Sequence, residues 1–222
     1  KPCHAMAKWP HLLCCTVFCI FMTGLKGNFK EELAFYGSYH QDPRNQLIHF
    51  IFVPLIWWTA NIWMCYVSLF KFRGHQISWG TVMLMLYVLY YLSLDTRGGG
   101  AFSVVLTAMY LISTELVKRE RAKVGSKDAP ISRPGRAGKI GVVIHILAWY
   151  MQLHPGHAIF EGVKPALIDS LSQAIAVAPL FAFYEGVWFM GFDDDLKQQV
   201  VQLVNATRIG MCENDNSLSF CS

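Results

Sequence analysis

Five of the eight histidines in this 222-residue chain lie in two short stretches, both at the boundaries of apolar runs. A single histidine at such a boundary is ordinarily an interfacial residue. Ionisable groups beside an apolar phase are costly, however, and those that persist tend to line functional cavities. Neutral imidazole is also the commonest metal ligand among side chains. The clustering therefore favours a metal site. The five are His40, His49, His145, His154 and His157.

The first stretch, YHQDPRNQLIH (39–49), places His40 and His49 on either side of a polar turn. Pro43 disfavours helix at the residue before it, and Asn45 is a good N-cap for a helix that begins just after it. On one continuous helix, nine residues at about 100° each would put the two rings on opposite faces. The turn is therefore predicted to fold the chain back so that both rings face one point.

The second stretch, HILAWYMQLHPGHAIFEG (145–162), combines histidines with a carboxylate. His157 and Glu161 are four residues apart and share one face of a helix. Pro155 is expected to break the chain just before them, and this break must reorient the second half if His145 is to meet His157. Discontinuous membrane helices line polar sites in other proteins. Imidazole with carboxylate suits non-haem iron, whose open positions serve oxygen chemistry.

Long apolar runs must position these side chains. The chain is 54% hydrophobic and only 15% charged, whereas a soluble domain carries about 25% charged residues. A helix of roughly 20 apolar residues crosses a bilayer core, and runs near this length occupy 47–70, 77–94 and 101–117. Pro54 is expected to kink the first run or to split it into a re-entrant pair. The other two runs predict a helical hairpin around a tight turn.

A basic segment, 118–139, separates these runs from the second histidine stretch and holds eight Lys or Arg residues and two acids. It lacks interleaved aromatic residues, so a solvated cytosolic loop is favoured over a nucleic-acid patch. The seven cysteines are odd in number and show no paired CxxC spacing, so neither a zinc site nor a disulfide framework is predicted.

The fold class that follows is all-α, a polytopic helical membrane protein with four to six apolar segments, some of them kinked or re-entrant. Residues 1–25 are an N-terminal extension whose role the sequence leaves open. Residues 26–192 form the helical membrane domain. Residues 193–222 are predicted to be a polar C-terminal tail, helical over a short length and then frayed.

Two segments, FYGSYHQDPRNQLIHFIFVPLIWW and HILAWYMQLHPGHAIFEGVKPALIDSLSQAIAVAPLFAFYE, resemble the yeast-type 2-hydroxy fatty acid dioxygenase family of phytosphingosine breakdown. Together they frame residues 35–185. The resemblance implies a membrane enzyme of the endoplasmic reticulum that depends on iron(II). Such an enzyme cleaves a 2-hydroxy fatty acid with O2 to the acid one carbon shorter, which is fatty acid α-oxidation.

The resemblance also implies roles for individual residues. The iron ligands would be His40, His49, His145 and His157. Glu161 would be catalytic, and Asn45 would contact substrate or support the ligands. His154 lies where this chain departs from many relatives, and it is a weaker candidate for the same supporting role. Membrane lipids are the expected partners, with a possible membrane-protein assembly and no nucleic acid. The alternative is a non-catalytic structural subunit of a membrane assembly that retains the enzyme-family fold. Metal analysis of the purified chain discriminates between the two hypotheses.

Overall fold

The computed structural model describes residues 28–123 and 135–214, except for the side chains of residues 172 and 173. This part of the chain is predominantly helical, which confirms the all-α prediction, and it contains one small two-stranded sheet. A π-helix, Gln152–Glu161, directly follows Met151. The other elements are α1 (Phe29–Gly37), α2 (Pro43–Tyr66), β1 (Ser68–Phe72), β2 (His75–Ser78), α3 (Trp79–Leu94), α4 (Thr96–Lys123), α5 (Arg136–Met151), α6 (Ala166–Asp169), α7 (Leu171–Ala176), α8 (Ala178–Phe189) and α9 (Asp194–Asn214).

Helix α2 is the central element, and it packs against α3, α4, α5, α8 and the π-helix. Its N-cap is Asp42, whose carboxylate accepts a hydrogen bond from the Arg44 backbone N–H at 2.8 Å. Pro43 occupies the first helical position, where its missing N–H costs nothing. The predicted N-cap, Asn45, therefore lies inside the helix. The helix also runs through Pro54 without being split into a re-entrant pair.

Helices α3 and α4 form the predicted hairpin, but the turn between them is only Asp95. Its carboxylate caps α4 by accepting from the backbone N–H of Gly98, and it also accepts from the Tyr184 hydroxyl. A Cβ atom at Gly99 would lie 2.2 Å from the carbonyl oxygen of Tyr91, so only glycine permits this close approach. The three glycines at positions 98–100 therefore lie in the first turns of α4 and do not form a loop.

A β-hairpin between α2 and α3 was not predicted. Strands β1 and β2 pair antiparallel, with Phe72 opposite His75. The two residues between them, Arg73 and Gly74, have φ angles of 48° and 83°, as in the two-residue turns that suit the twist of hairpins. The sequence predicts an apolar run that continues to residue 70. In the structure its helix ends at Tyr66, because the hairpin follows it.

The C-terminal segment is more ordered than predicted, because α9 extends over 21 residues and packs against α1. Val200 and Val204 are 2% and 4% exposed, and their spacing of four places them on one helical face. The Lys30 ammonium donates to the Gln199 side chain at 2.5 Å. Cys212 on this helix is disulfide-bonded, a pairing that the sequence did not predict.

Two of the described helices, α2 and α4, are long and apolar enough to cross a membrane, judged by length and composition. Helix α3 is apolar but has only 16 residues. Four to six spanning segments are therefore not confirmed. The basic segment also forms less loop than expected, because residues 118–123 end α4 and residues 136–139 begin α5. Its centre, residues 124–134, lies outside the described residues.

Candidate metal centre

Three histidines from the turn before α2, from α2 and from the π-helix meet at one point. His40, His49 and His157 each offer one ring nitrogen, and these three nitrogens lie within 4.8 Å of one another. The side chains are buried, with 1%, 2% and 3% exposure. Their ring centroids are 4.4, 4.9 and 5.1 Å apart, and the ring planes are inclined at 72° to 84°. We call this group the histidine triad.

The first two rings of the triad are oriented by backbone carbonyl groups one helical turn earlier. His40 Nδ1 lies 2.8 Å from the Tyr36 carbonyl oxygen, and the two rings stack with centroids 4.3 Å apart. His49 Nδ1 lies 3.0 Å from the Asn45 carbonyl oxygen. A carbonyl oxygen only accepts, so each Nδ1 must carry the proton in the neutral ring. The lone pair then belongs to Nε2, as in many metal-ligating histidines.

The third ring, His157, is carried by the π-helix. The predicted break at Pro155 is absent, because the chain continues from α5 into this wider helix. Isolated π-helical turns occur frequently at functional sites. A Cβ atom at Gly156 would lie 2.5 Å from Asn45 Oδ1, so glycine lets the π-helix approach α2 closely. His157 Nδ1 and His40 Nε2 are buried and have no hydrogen-bond partner among the described residues.

The surroundings keep the triad rings neutral. Burial lowers the pKa of His40 well below its usual range, and the neighbouring rings of His49 and His157 lower it further. Burial also lowers the pKa of His157 to about 4, although a hydrogen bond with the Val163 backbone opposes this change. Metal ligation needs neutral imidazole. The triad is therefore ready to bind a metal at neutral pH without first losing protons.

Glu161 joins the elements that carry the triad. One carboxylate oxygen accepts from the Gln41 backbone N–H at 2.6 Å. The other accepts from the Asp42 backbone N–H at 3.0 Å and from Asn45 Nδ2 at 3.1 Å. The end of the π-helix is thereby tied to the turn after His40 and to the start of α2. Glu161, which was expected to be catalytic, is thus directed at the turn and at Asn45. We call these contacts the Glu161 clamp.

His145 does not join the triad. Its Nδ1 lies 2.7 Å from Thr59 Oγ1, and its Nε2 accepts from Trp149 Nε1 at 3.0 Å, so both ring nitrogens are engaged. On a continuous helix the twelve residues to His157 correspond to roughly 18 Å, which explains why the expected convergence fails for this residue. His154 is exposed and stacks on Tyr150 with ring centroids 5.3 Å apart.

A cavity of about 520 Å³ opens from the triad, which is within the usual range for ligand pockets. One side of α2 lines it from His49 to Met64, a distance of about 22 Å at the rise of an α-helix, and Val67 just after the helix also lines it. Among the described residues that line it, none is Lys, Arg, Asp or Glu. Trp57 contributes to the wall, whereas Trp58, Phe181 and Phe183 do not line the cavity. The other polar lining side chains include Tyr36, His145, Gln152 and His157.

Two residues near the triad were not predicted from the sequence as site residues. Tyr36 lies between the triad and the cavity wall, since it stacks on His40 and lines the cavity. Glu185 on α8 is 6% exposed, and neither carboxylate oxygen has a hydrogen-bond partner among the described residues. A lone acid within the apolar run APLFAFYEGVWF was the available signal for Glu185.

Replacing Glu185 with glutamine is expected to stabilise the protein, and more so as pH rises. Burial raises the pKa of Glu185 well above its usual value, and the charge of Glu161 adds to this. The folded state therefore keeps a proton that the unfolded state loses above about pH 4.3, which lowers the free energy of unfolding by up to about 1.4 kcal/mol per pH unit. Glutamine does not titrate, so the Glu185→Gln protein should not lose free energy of unfolding in this way as pH rises.

Thermal unfolding of the detergent-solubilised Glu185→Gln protein at pH 5, 6 and 7 measures the effect. The difference from the parent should grow across this range. Glu31→Gln is the matched control, because that side chain is exposed and surface substitutions usually change stability by within about 0.5 kcal/mol. A difference that stays constant with pH would mean that Glu185 does not titrate abnormally.

Comparison with known proteins gives one consistent result. A family model described as 2-hydroxy-palmitic acid dioxygenase Mpo1-like matches residues 26–188. The chain is 29% identical over 170 residues to the 2-hydroxy-palmitic acid dioxygenase MPO1 of Saccharomyces cerevisiae. That alignment covers 77% of this chain and 86% of the yeast protein. No solved structure gives a significant match. The matched residues include the triad, the Glu161 clamp and Glu185.

Proposed function

The chain belongs to the Mpo1-like family of 2-hydroxy-palmitic acid dioxygenases, and on that premise we propose that it is an iron(II)-dependent dioxygenase of 2-hydroxy long-chain fatty acids. The observation that carries the proposal is the buried histidine triad at the inner end of an apolar cavity. The triad provides a place for a metal, and the cavity provides a place for an acyl chain. The product would be the fatty acid one carbon shorter, as in α-oxidation and phytosphingosine degradation.

The residues present fit a metal ion. His40 Nε2 and His157 Nδ1 are buried ring nitrogens without a hydrogen-bond partner among the described residues, which is costly unless something binds them. Together with His49 Nε2 they would hold the ion, and imidazole ligands suit iron as well as zinc, copper and nickel. Iron(II), when bound, supplies open coordination positions and the electron transfer that lets O2 react with an organic acid.

The overall reaction balances with O2 as the only oxidant. A 2-hydroxy acid RCH(OH)COOH and O2 give RCOOH, CO2 and H2O. The bond between C1 and C2 breaks, C1 leaves as CO2, and C2 becomes the new carboxyl carbon. Both carbons are oxidised while O2 is reduced to the level of water, so neither a reductant nor a second substrate is needed.

The protein's own residues hold and orient the substrate. The cavity wall on α2, from Val53 to Met64, would bury the acyl chain, with a favourable contribution of about 0.8 kcal/mol for each buried CH2 group. No cationic side chain is found among the described lining residues, so the carboxylate must be placed at the triad to be stabilised. Tyr36 borders both the triad and the cavity and is the polar group best placed to orient the headgroup.

The same proposal places the protein in a membrane. Helices α2 and α4 would span it, residues 26–192 would form the functional domain, and the endoplasmic reticulum would be the compartment. Membership of a larger membrane assembly would be compatible with this arrangement. The observation that supports membrane insertion is the length and apolar composition of these two helices.

The test is product analysis with purified protein in detergent. Protein supplied with iron(II) and air should convert 2-hydroxypalmitate to pentadecanoate, with one O2 consumed for each acid formed. Palmitate, which lacks the 2-hydroxyl group, is the control substrate and should give no product. A chain that binds no iron and forms no pentadecanoate would contradict the proposal and support the non-catalytic subunit. A hydroxylated product of unchanged length would indicate a lipid hydroxylase.

A further inference from the structure

The β1–β2 hairpin presents large apolar side chains to solvent. Phe70 and Phe72 are 58% and 57% exposed, and Leu69 is 40% exposed. Both faces of β1 are open, because all but its first residue is exposed. A two-stranded hairpin is at best marginally stable alone in water, and large exposed apolar patches generally mark interaction sites. Another surface is therefore expected to cover this hairpin.

The hairpin stands at the outer end of the cavity. Val67 lies directly before β1 and Trp79 lies directly after β2, and both residues line the cavity. Val67 is 40% exposed, whereas His49 at the other end of the same helix face is buried. The cavity thus extends from the buried triad to the base of the hairpin, so whatever covers the hairpin also lies beside the rim of the cavity.

The same end of the molecule is rich in positive charge. Lys71 and Arg73 belong to the hairpin, and the Arg73 guanidinium lies over the Phe72 ring at 5.5 Å. The C-terminal end of α4 is beside it, because Arg121 Nη2 donates to the Tyr66 carbonyl oxygen at 2.8 Å. The start of α5 is also near, since the Gly138 backbone N–H donates to the Tyr66 hydroxyl at 3.1 Å. Further exposed cations on these helix ends are Lys123, Arg136 and Lys139, whereas Lys118 and Arg119 are paired with Glu115.

We propose that the hairpin inserts into the interface of a lipid leaflet containing anionic lipids and seats the rim of the cavity there, so that the acyl substrate enters from the bilayer. The inference rests on the proposed function for the identity of the substrate. Exposed aromatic rings beside Lys and Arg suit the headgroup level of a bilayer, where aromatic side chains are enriched, and juxtamembrane cations attract anionic lipids. The charge and the aromatic residues together favour a lipid surface over a second copy of this chain, whose own cations would repel those at this end.

Photo-crosslinking tests what covers the hairpin. The full chain with p-benzoylphenylalanine replacing Phe72 is reconstituted in nanodiscs of phosphatidylcholine, with or without phosphatidylserine, and illuminated. Lipid adducts are expected, with a higher yield when phosphatidylserine is present. Cross-links to a second copy, or the absence of lipid adducts, would overturn the proposal. An equal yield in both lipids would overturn its anionic-lipid part. This arm does not depend on enzymatic activity, so it stands even if the proposed function fails.

Kinetics test the entry of the substrate. The Phe70→Ser, Phe72→Ser double variant should raise the KM for 2-hydroxypalmitate in phosphatidylserine nanodiscs about tenfold while keeping kcat, since losing partial burial of the phenylalanine rings corresponds to roughly that ratio. Phe189→Ser is the matched control, because this ring is 87% exposed at the end of α8, where Gly186 meets Phe50 near the start of α2, whereas the hairpin follows the end of α2. Iron content equal to that of the parent shows that the variant is folded. An unchanged KM would overturn the entry role.

Discussion

Replacing His49 or His157 with alanine is expected to reduce both iron content and conversion of 2-hydroxypalmitate by more than about 100-fold. Changes in residues that merely support metal ligands already cost about 10–100-fold, and these two residues would supply the ligand nitrogens themselves. The remaining two nitrogens lie within 4.8 Å of each other, but a two-ligand site binds a metal far more weakly. Iron per protein is measured by elemental analysis, and product is measured by mass spectrometry.

Substitutions of two other histidines test whether the loss of iron is specific to the triad. His145→Ala removes a ring that bonds to Thr59 and Trp149 and should leave iron content unchanged. His75→Ala removes an exposed ring at the start of β2 and should also leave it unchanged. Loss of iron in His145→Ala with full retention in His49→Ala would show that the ligand set is not the triad. Full activity of both triad variants, still abolished by a chelator, would place the metal elsewhere.

Replacing Glu161 with alanine is expected to weaken iron binding by about 10–100-fold, in the range found for residues that orient metal ligands. The carboxylate holds three N–H donors, two from the backbone at residues 41 and 42 and one from Asn45. Without it, these donors lose their partner, and the turn after His40 is no longer tied to the π-helix that carries His157. The triad geometry should therefore loosen.

The glutamine variant separates a clamp from a catalytic acid. Glu161→Gln keeps one side-chain oxygen as an acceptor but places an amide donor towards the other N–H groups, so it should lose less iron affinity than Glu161→Ala. Excess iron(II) should restore much of the activity of both variants if the residue acts as a clamp. Full iron occupancy with activity reduced more than about 100-fold in Glu161→Gln would instead identify Glu161 as catalytic, as the family resemblance implies.

The acidic neighbourhood of the triad has a consequence for these experiments. The charge of Glu161 disfavours ionisation of Glu185. Removing the carboxylate at position 161 therefore lowers the cost of ionising Glu185. Burial is the larger cause of the raised pKa of Glu185, so the Glu161→Ala protein should still lose stability as pH rises from 5 to 7, which can be read from the same thermal unfolding series.

Several features were determined by the sequence alone because they depend on neighbouring residues. The α3–α4 hairpin follows from two apolar runs separated by a short polar stretch. The approach of His40 and His49 follows from a proline turn between rings that a straight helix would hold on opposite faces. Helical spacing also placed His157 and Glu161 on the same structural unit. The family resemblance rested on these same local segments.

Other features were decided only by tertiary structure. His145 is excluded from the triad because α5 continues as a π-helix through Pro155, where the sequence predicts a break. Asn45 supports the Glu161 clamp and does not cap α2, because Asp42 beside Pro43 takes that role.

The neighbours of Glu185 and the hydrogen-bond partners of Glu161 also could not be predicted from the sequence. Glu185 lies in an apolar run that carries no sign of its neighbours, and the partners of Glu161 are more than a hundred residues away in the chain. Local spacing sets which residues share one turn or one face. Which donor meets which acceptor across α2, the π-helix and α8 depends on how these helices pack, and no single stretch of sequence contains that information.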